Sequence, residues 1–198
     1  MPQSSANALV KFMIMFILVI CLYMIIEGDY INDVKLVKAS VDQNMYLVRN
    51  TTDAVEAANM LAQMRLKLTE VVALLHRLYP NDPRTQRLKA RFNPFKLSES
   101  TPASQYTSYS VNKGEKIVFC LRSKDKDQAL HDFDTLTFVG LHELAHLMTE
   151  SIGHTTEFWD NFRFILKSCI EHKAYNYHDF RAKPVRYCGT DITDSPHN

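Results

Sequence analysis

DTLTFVGLHELAHLMTESIGH, residues 134–154, is the stretch on which the reading of this chain turns. On a helix, positions four apart share a face, with Cβ atoms about 5–6 Å apart. His142 and His146 can therefore hold one metal between their imidazoles, and Glu143 can reach a water in an open coordination position as general base. Phe138, Val139, Leu141, Leu144, Ala145 and Leu147 make the segment apolar nearly all round, so a buried helix is expected. Two buried imidazoles and a carboxylate are costly without partners, and a metal removes that cost.

Three protein ligands plus water is the usual form of a catalytic zinc site. His154 is the expected third ligand, because Ser151-Ile152-Gly153 breaks the helix and lets the chain turn back. The alternative is a carboxylate from the next helix, Glu171 first and Glu157 as a weaker candidate. The expected cofactor is Zn2+, from the imidazole donors.

Working outward, the 198 residues and 46% hydrophobic content suit one domain with a proper core. The formal net charge of +1 provides no whole-chain field for nucleic acid, so no nucleic-acid partner is expected. Arg84, Arg87, Lys89, Arg91 and Lys96 form the one basic run, read as a solvated helix face. Of four cysteines, Cys21 sits in the apolar N-terminus. Cys120, Cys169 and Cys188 are odd in number and lack Cys-x-x-Cys spacing, so buried thiols are expected, with a Cys169–Cys188 bridge left open.

From Phe12 to Ile26 every residue is apolar or weakly polar. With Ala8 to Val10 added and Lys11 snorkelling, the run approaches the ~20 residues that cross a bilayer. It reads as a single-pass anchor. The competing reading, a cleaved signal peptide, lacks an Ala-x-Ala-like site. Lys11 before the span and Glu27, Asp29 and Asp33 after it lean the N-terminus to the cytosol. The expected organisation is an anchor over 1–28 and a metallopeptidase domain over 29–198, with 29–97 mainly helical and 98–198 carrying the metal site.

Asp29 to Ser40 reads as a linker or short helix, and Met45 to Val48 as a strand. A helix with a long apolar stripe follows from Thr51-Thr52-Asp53 to Tyr79, where Asp53 and Glu56 form a capping-box-like pair. Asp82-Pro83 opens a shorter helix through Arg91. Ser98 to Ser104 reads as a loop, Tyr106–Val111 and Lys116–Leu121 as strands of a hairpin turning at Gly114, and Ser123 to Asp127 as a solvated loop. The metal helix runs from Asp134 or Thr135 to about Glu150. Thr155 or Thr156 caps another helix carrying Phe158, Trp159, Phe162 and Ile165, and the tail beyond Ala174 is irregular.

His142-Glu143-Leu144-Ala145-His146, then Gly153-His154, then Phe158-Trp159, resembles the WLM, SprT-like and YgjP-like zinc metallopeptidases, over about Tyr106 to Tyr187. The gap from His146 to His154 is longer than in YgjP-like members. Short membrane-anchored WLM-like proteins of large DNA viruses and algae offer the nearest likeness. The resemblance implies an α+β zincin-type fold, helices packed on a small mixed or antiparallel sheet with a transmembrane helix added. It implies a histidine as third ligand, a peptide or protein substrate paired with an edge strand, and hydrolysis with Glu143 as base. Tyr175, Tyr177, His178 and Tyr187 are oxyanion candidates by residue type alone. A membrane-tethered zinc peptidase is therefore expected. The alternative is an inactive zinc-binding module that recruits a partner, against which the retained Glu143 argues. A protease acting on protein–DNA crosslinks is disfavoured by the neutral charge, the anchor, and the lack of a zinc ribbon or basic tail.

Overall fold

The computed structural model describes residues 3–125 and 127–196; Met1 and Pro2 of the expected anchor and Lys126 of the expected loop lie outside them. The elements in chain order are α1 (Gln3–Asp33), β1 (Val34–Lys38), β2 (Met45–Arg49), α2 (Ala54–Leu78), α3 (Pro83–Arg91) and β3 (Leu97–Glu99). They continue with β4 (Tyr109–Val111), β5 (Lys116–Phe119), α4 (Phe133–Met148), α5 (Thr156–Glu171), β6 (Val185–Tyr187) and β7 (Thr190–Ile192). The fold is α+β, as expected, with a five-stranded sheet in the order β1-β2-β3-β5-β4. The sheet is mixed: β1 and β2, and β4 and β5, pair antiparallel, while β3 runs parallel to both neighbours. Its strands come from both parts of the chain, so 29–97 and 98–198 share one core.

The long helix α2 buries Ala57, Ala58, Leu61, Ala62, Met64, Leu68, Val71 and Leu75, a stripe at helical spacing that faces the sheet and α4. Asp82 caps α3 through the Arg84 amide at 2.8 Å. Asp132, rather than Asp134 or Thr135, caps the metal helix, accepting from the Thr135 amide at 2.8 Å and from its hydroxyl at 2.7 Å. Asp53 precedes α2 without a side-chain cap, because its carboxylate pairs instead with Arg122.

The membrane anchor, and with it the single-pass localisation and membrane partner, is corrected. Among the described residues no helix is long and apolar enough to cross a membrane. Helix α1 is long, but its unbroken apolar run from Phe12 to Ile26 is 15 residues. At 1.5 Å per residue that gives about 22 Å, against a hydrocarbon core of about 30 Å. Three further readings change. Asp29–Ser40 divides into the end of α1 and strand β1, Ser98 belongs to a strand rather than a loop, and the tail folds into the hairpin β6–β7. The expected buried thiols are corrected for two cysteines: Cys120 bonds Cys188, with Cα atoms 6.1 Å apart, while Cys169 is a buried free thiol as expected, so the Cys169–Cys188 bridge left open does not form.

Between β4 and β5 the backbone takes positive φ at Asn112, Lys113 and Gly114. At Gly114, φ is +117° and an added Cβ would stand 2.2 Å from the Arg91 carbonyl oxygen. Gly114→Ala is therefore expected to cost about 1–3 kcal/mol, from backbone strain and from overpacking against backbone that cannot yield. Urea unfolding measures it, and an unchanged midpoint would show that the turn relaxes freely.

Candidate metal centre

The metal helix α4 lies between α2, α3 and α5, with the edge strand β4 along one side. His142, Glu143 and His146 leave it in the direction of that strand. His154 returns from the turn after the helix, where Gly153 takes φ +83°. The structure brings His142, His146 and His154 together as a three-histidine group. The Nε2 atom of His142 is 3.2 Å from that of His146 and 3.1 Å from that of His154. The three ring centroids form a nearly equilateral triangle with sides of 4.9, 5.0 and 4.9 Å. Two nitrogens bound to one tetrahedral zinc at 2.0–2.1 Å are about 3.3 Å apart. The donor set therefore fits zinc in type, number and spacing.

Phe158, fully buried, supports all three rings, with centroid distances of 4.8 Å to His142, 4.3 Å to His146 and 4.6 Å to His154. Trp159 packs on the outer side of His154 at 5.7 Å. The aromatic pair visible in the sequence thus sets ring orientation. Burial, followed by the neighbouring imidazoles His146 and His154, pushes the His142 pKa down to about 3. Burial, then His154 and Lys113, pushes His146 down to about 4. Both rings are neutral at pH 7, with lone pairs free for a metal.

Glu143 is 2% exposed, beside Ser110 of β4. Burial raises its pKa to about 8, with hydrogen bonds from the Ser110 side chain and backbone acting in the opposite direction. Its Oε2 has no hydrogen-bond partner. A dication next to it would stabilise the carboxylate and draw the pKa back down. A buried carboxyl beside the histidines, with one oxygen unpartnered, is suited to moving a proton.

Neither carboxylate alternative joins the histidines. Glu157 accepts from the Glu150 and Ser151 amides at 2.8 and 3.0 Å and from the Ser151 hydroxyl at 2.7 Å, which fixes the turn before His154 and holds its pKa near 2. Glu171 is the last residue of α5, outside the group. Among the oxyanion candidates, Tyr187 lines a cavity that reaches His142 and Glu143. Tyr175 is buried elsewhere, and His178 lies near Asp134 at 3.6 Å.

The sequence missed how the end of α4 is held. Arg87 donates to the Met148 carbonyl at 2.6 Å and pairs with Glu150. Arg91 donates to the Leu147 and Thr149 carbonyls at 2.9 and 3.0 Å, and Lys113 reaches Thr149 at 2.9 Å and also Ser151. Two members of the basic run are therefore not on a solvated face. They satisfy the open carbonyls of a helix C-terminus, where cations are favoured, and so fix the turn that delivers His154. The available signal was the helical spacing of Arg87 and Arg91 on a short helix with few apolar residues.

The WLM domain model matches residues 70–197, more than half of the chain. An uncharacterized protein of Acanthamoeba polyphaga mimivirus is 29% identical over 184 residues, covering 91% of this chain and 93% of that protein. An uncharacterized protein of Invertebrate iridescent virus 3 is 36% identical over 99 residues, covering 49% and 55%. Among solved structures, Wss1 from Saccharomyces cerevisiae is similar at 20% identity and TM-score 0.45, covering 64% of this chain and 88% of that one. The chain belongs to the WLM domain family.

Proposed function

We propose that this WLM-family chain is a zinc-dependent peptidase in which His142, His146 and His154 hold the ion and Glu143 transfers the protons. The observation that carries this reading is the pair of 3.1 and 3.2 Å separations between imidazole nitrogens. The acid left out of that group supports catalysis over a purely structural site, which gains nothing from a carboxylate there. Zinc, when bound, supplies Lewis acidity that polarises a carbonyl and acidifies a water. Glu143 accepts the water's proton and later donates it to the departing amine. Strand β4 is the outer strand of the sheet beside the histidines, and an extended peptide adds to a sheet at its outer strand.

The test is metal analysis of the full chain with a casein-cleavage assay, with and without chelator. One zinc per chain and chelator-sensitive cleavage are expected. His154→Ala should weaken zinc binding by at least about 100-fold, since loss of an outer-shell partner alone costs 10–100-fold. Stoichiometric zinc in a chain that cleaves nothing would leave the metal and reject the peptidase.

A further inference from the structure

The chain's last hairpin stands apart from the main sheet, as a two-stranded unit of β6 and β7 alone. Cys188 and Gly189 turn it, both at positive φ (49° and 81°), the backbone of a tight two-residue turn. Three fastenings hold it against the body. Cys188 is disulfide-bonded to Cys120, one residue beyond β5. The Cys188 amide donates to Nε2 of His131 at 3.1 Å. The Tyr187 hydroxyl meets the Ser108 hydroxyl at 2.6 Å, and Ser108 in turn accepts from the Cys120 amide at 3.0 Å.

The result is a recess of about 200 Å³. Phe138 and Val139 of α4, Thr107 and Ser108, and Tyr187, Thr190 and Ile192 of the hairpin line it. His142 and Glu143 line both this recess and the cleft over the three histidines, so the two spaces are adjacent. An apolar cavity of about 150 Å³ is enough for benzene, so this one accepts a Leu or Phe side chain.

We propose that the hairpin is the disulfide-stapled wall of a substrate pocket, which selects peptides with a large apolar side chain next to the scissile bond. The assignment rests on the peptidase reading and names its substrate class. Ile192 is the hairpin's aliphatic side chain in that lining, and the Cys120–Cys188 bond fixes the hairpin's turn to the body.

The experiment uses the zinc-loaded full chain and peptides that differ only at one residue beside the cleaved bond: Gly, Leu, Phe, Asp or Lys. The wild type should prefer Leu and Phe over Gly, Asp and Lys by at least about tenfold in kcat/KM, the discrimination an apolar pocket supplies. Ile192→Trp fills the recess and should remove that preference by lowering kcat/KM for the Leu and Phe peptides at least about tenfold. The double variant Cys120→Ser/Cys188→Ser should also lose the preference while keeping its zinc. A second arm needs no turnover: anisotropy of fluorescein-labelled Leu and Gly peptides on the Glu143→Gln protein, with and without Ile192→Trp, should show the same preference in affinity. A flat profile in both arms, or equal losses for Leu and Gly peptides in Ile192→Trp, overturns the pocket. If the wild type cleaves none of the peptides, the peptidase reading fails alone and the binding arm decides the pocket.

Discussion

Glu143→Gln is expected to leave zinc fully bound and to lower kcat for peptide hydrolysis by about 10³–10⁴-fold. Glutamine matches glutamate in shape, and the site at residue 143 is nearly closed to solvent, so the helix and its histidines should not move. What is lost is the capacity to accept and return a proton. One residue is asked to do both, so the expected effect lies at the upper end of what a single acid–base group contributes. Metal analysis and casein turnover on the same preparation separate the two roles. Turnover within tenfold of wild type would reject Glu143 as the base, and loss of zinc would show that its carboxylate helps to hold the ion.

The metal helix was legible because its information is local. Two histidines four apart share a helical face whatever the fold, and Gly153, just past the end of that helix, permits the return that delivers His154. The sheet was less legible where polar residues are buried. Ser98-Glu99 looks like the start of a polar loop, yet both residues are buried in β3, between β2 and β5. Glu99 is tolerated there because Arg49 and Arg122 meet it, and those partners lie 50 and 23 residues away. No local pattern carries such a pairing. The same holds for Cys120 and Cys188, 68 residues apart, whose spacing resembles no framework. The N-terminal run misled for a different reason. Composition alone favours a membrane span, whereas length decides, and 15 uninterrupted apolar residues fall short of it.

Arg122→Met is expected to destabilise the protein by about 3–5 kcal/mol, the cost of leaving a buried partner charge without its counterion. The Arg122 side chain is 2% exposed; its Nε donates to Glu99 at 2.9 Å, and its Nη atoms reach Asp53 and the Thr51 hydroxyl. These bonds join the end of β5 to β3 and to the start of α2. Methionine fills the volume but leaves Glu99, whose side chain is fully buried, with Arg49 alone at 3.6 Å. Asp53 is far more exposed and regains water, so its share of the loss is small. The loss should depend on pH, with a definite sign. Burial already raises the Glu99 pKa above its ordinary value, against the lowering effect of the Arg49 amide, Arg122 and Arg49. Removing Arg122 raises it further. Above the unfolded carboxyl's pKa of about 4.3, the folded variant then holds a proton that the unfolded chain has released, and its stability falls as pH rises. Urea unfolding should therefore show a smaller deficit at pH 4 than at pH 7, and Glu99→Gln in the same chain should recover part of it. A deficit below about 1 kcal/mol, or one independent of pH, would show that the buried carboxylate does not depend on Arg122. Because no atom of this network lines the histidine cleft, the folded fraction of Arg122→Met should keep one zinc per chain, which separates loss of the sheet from loss of the site.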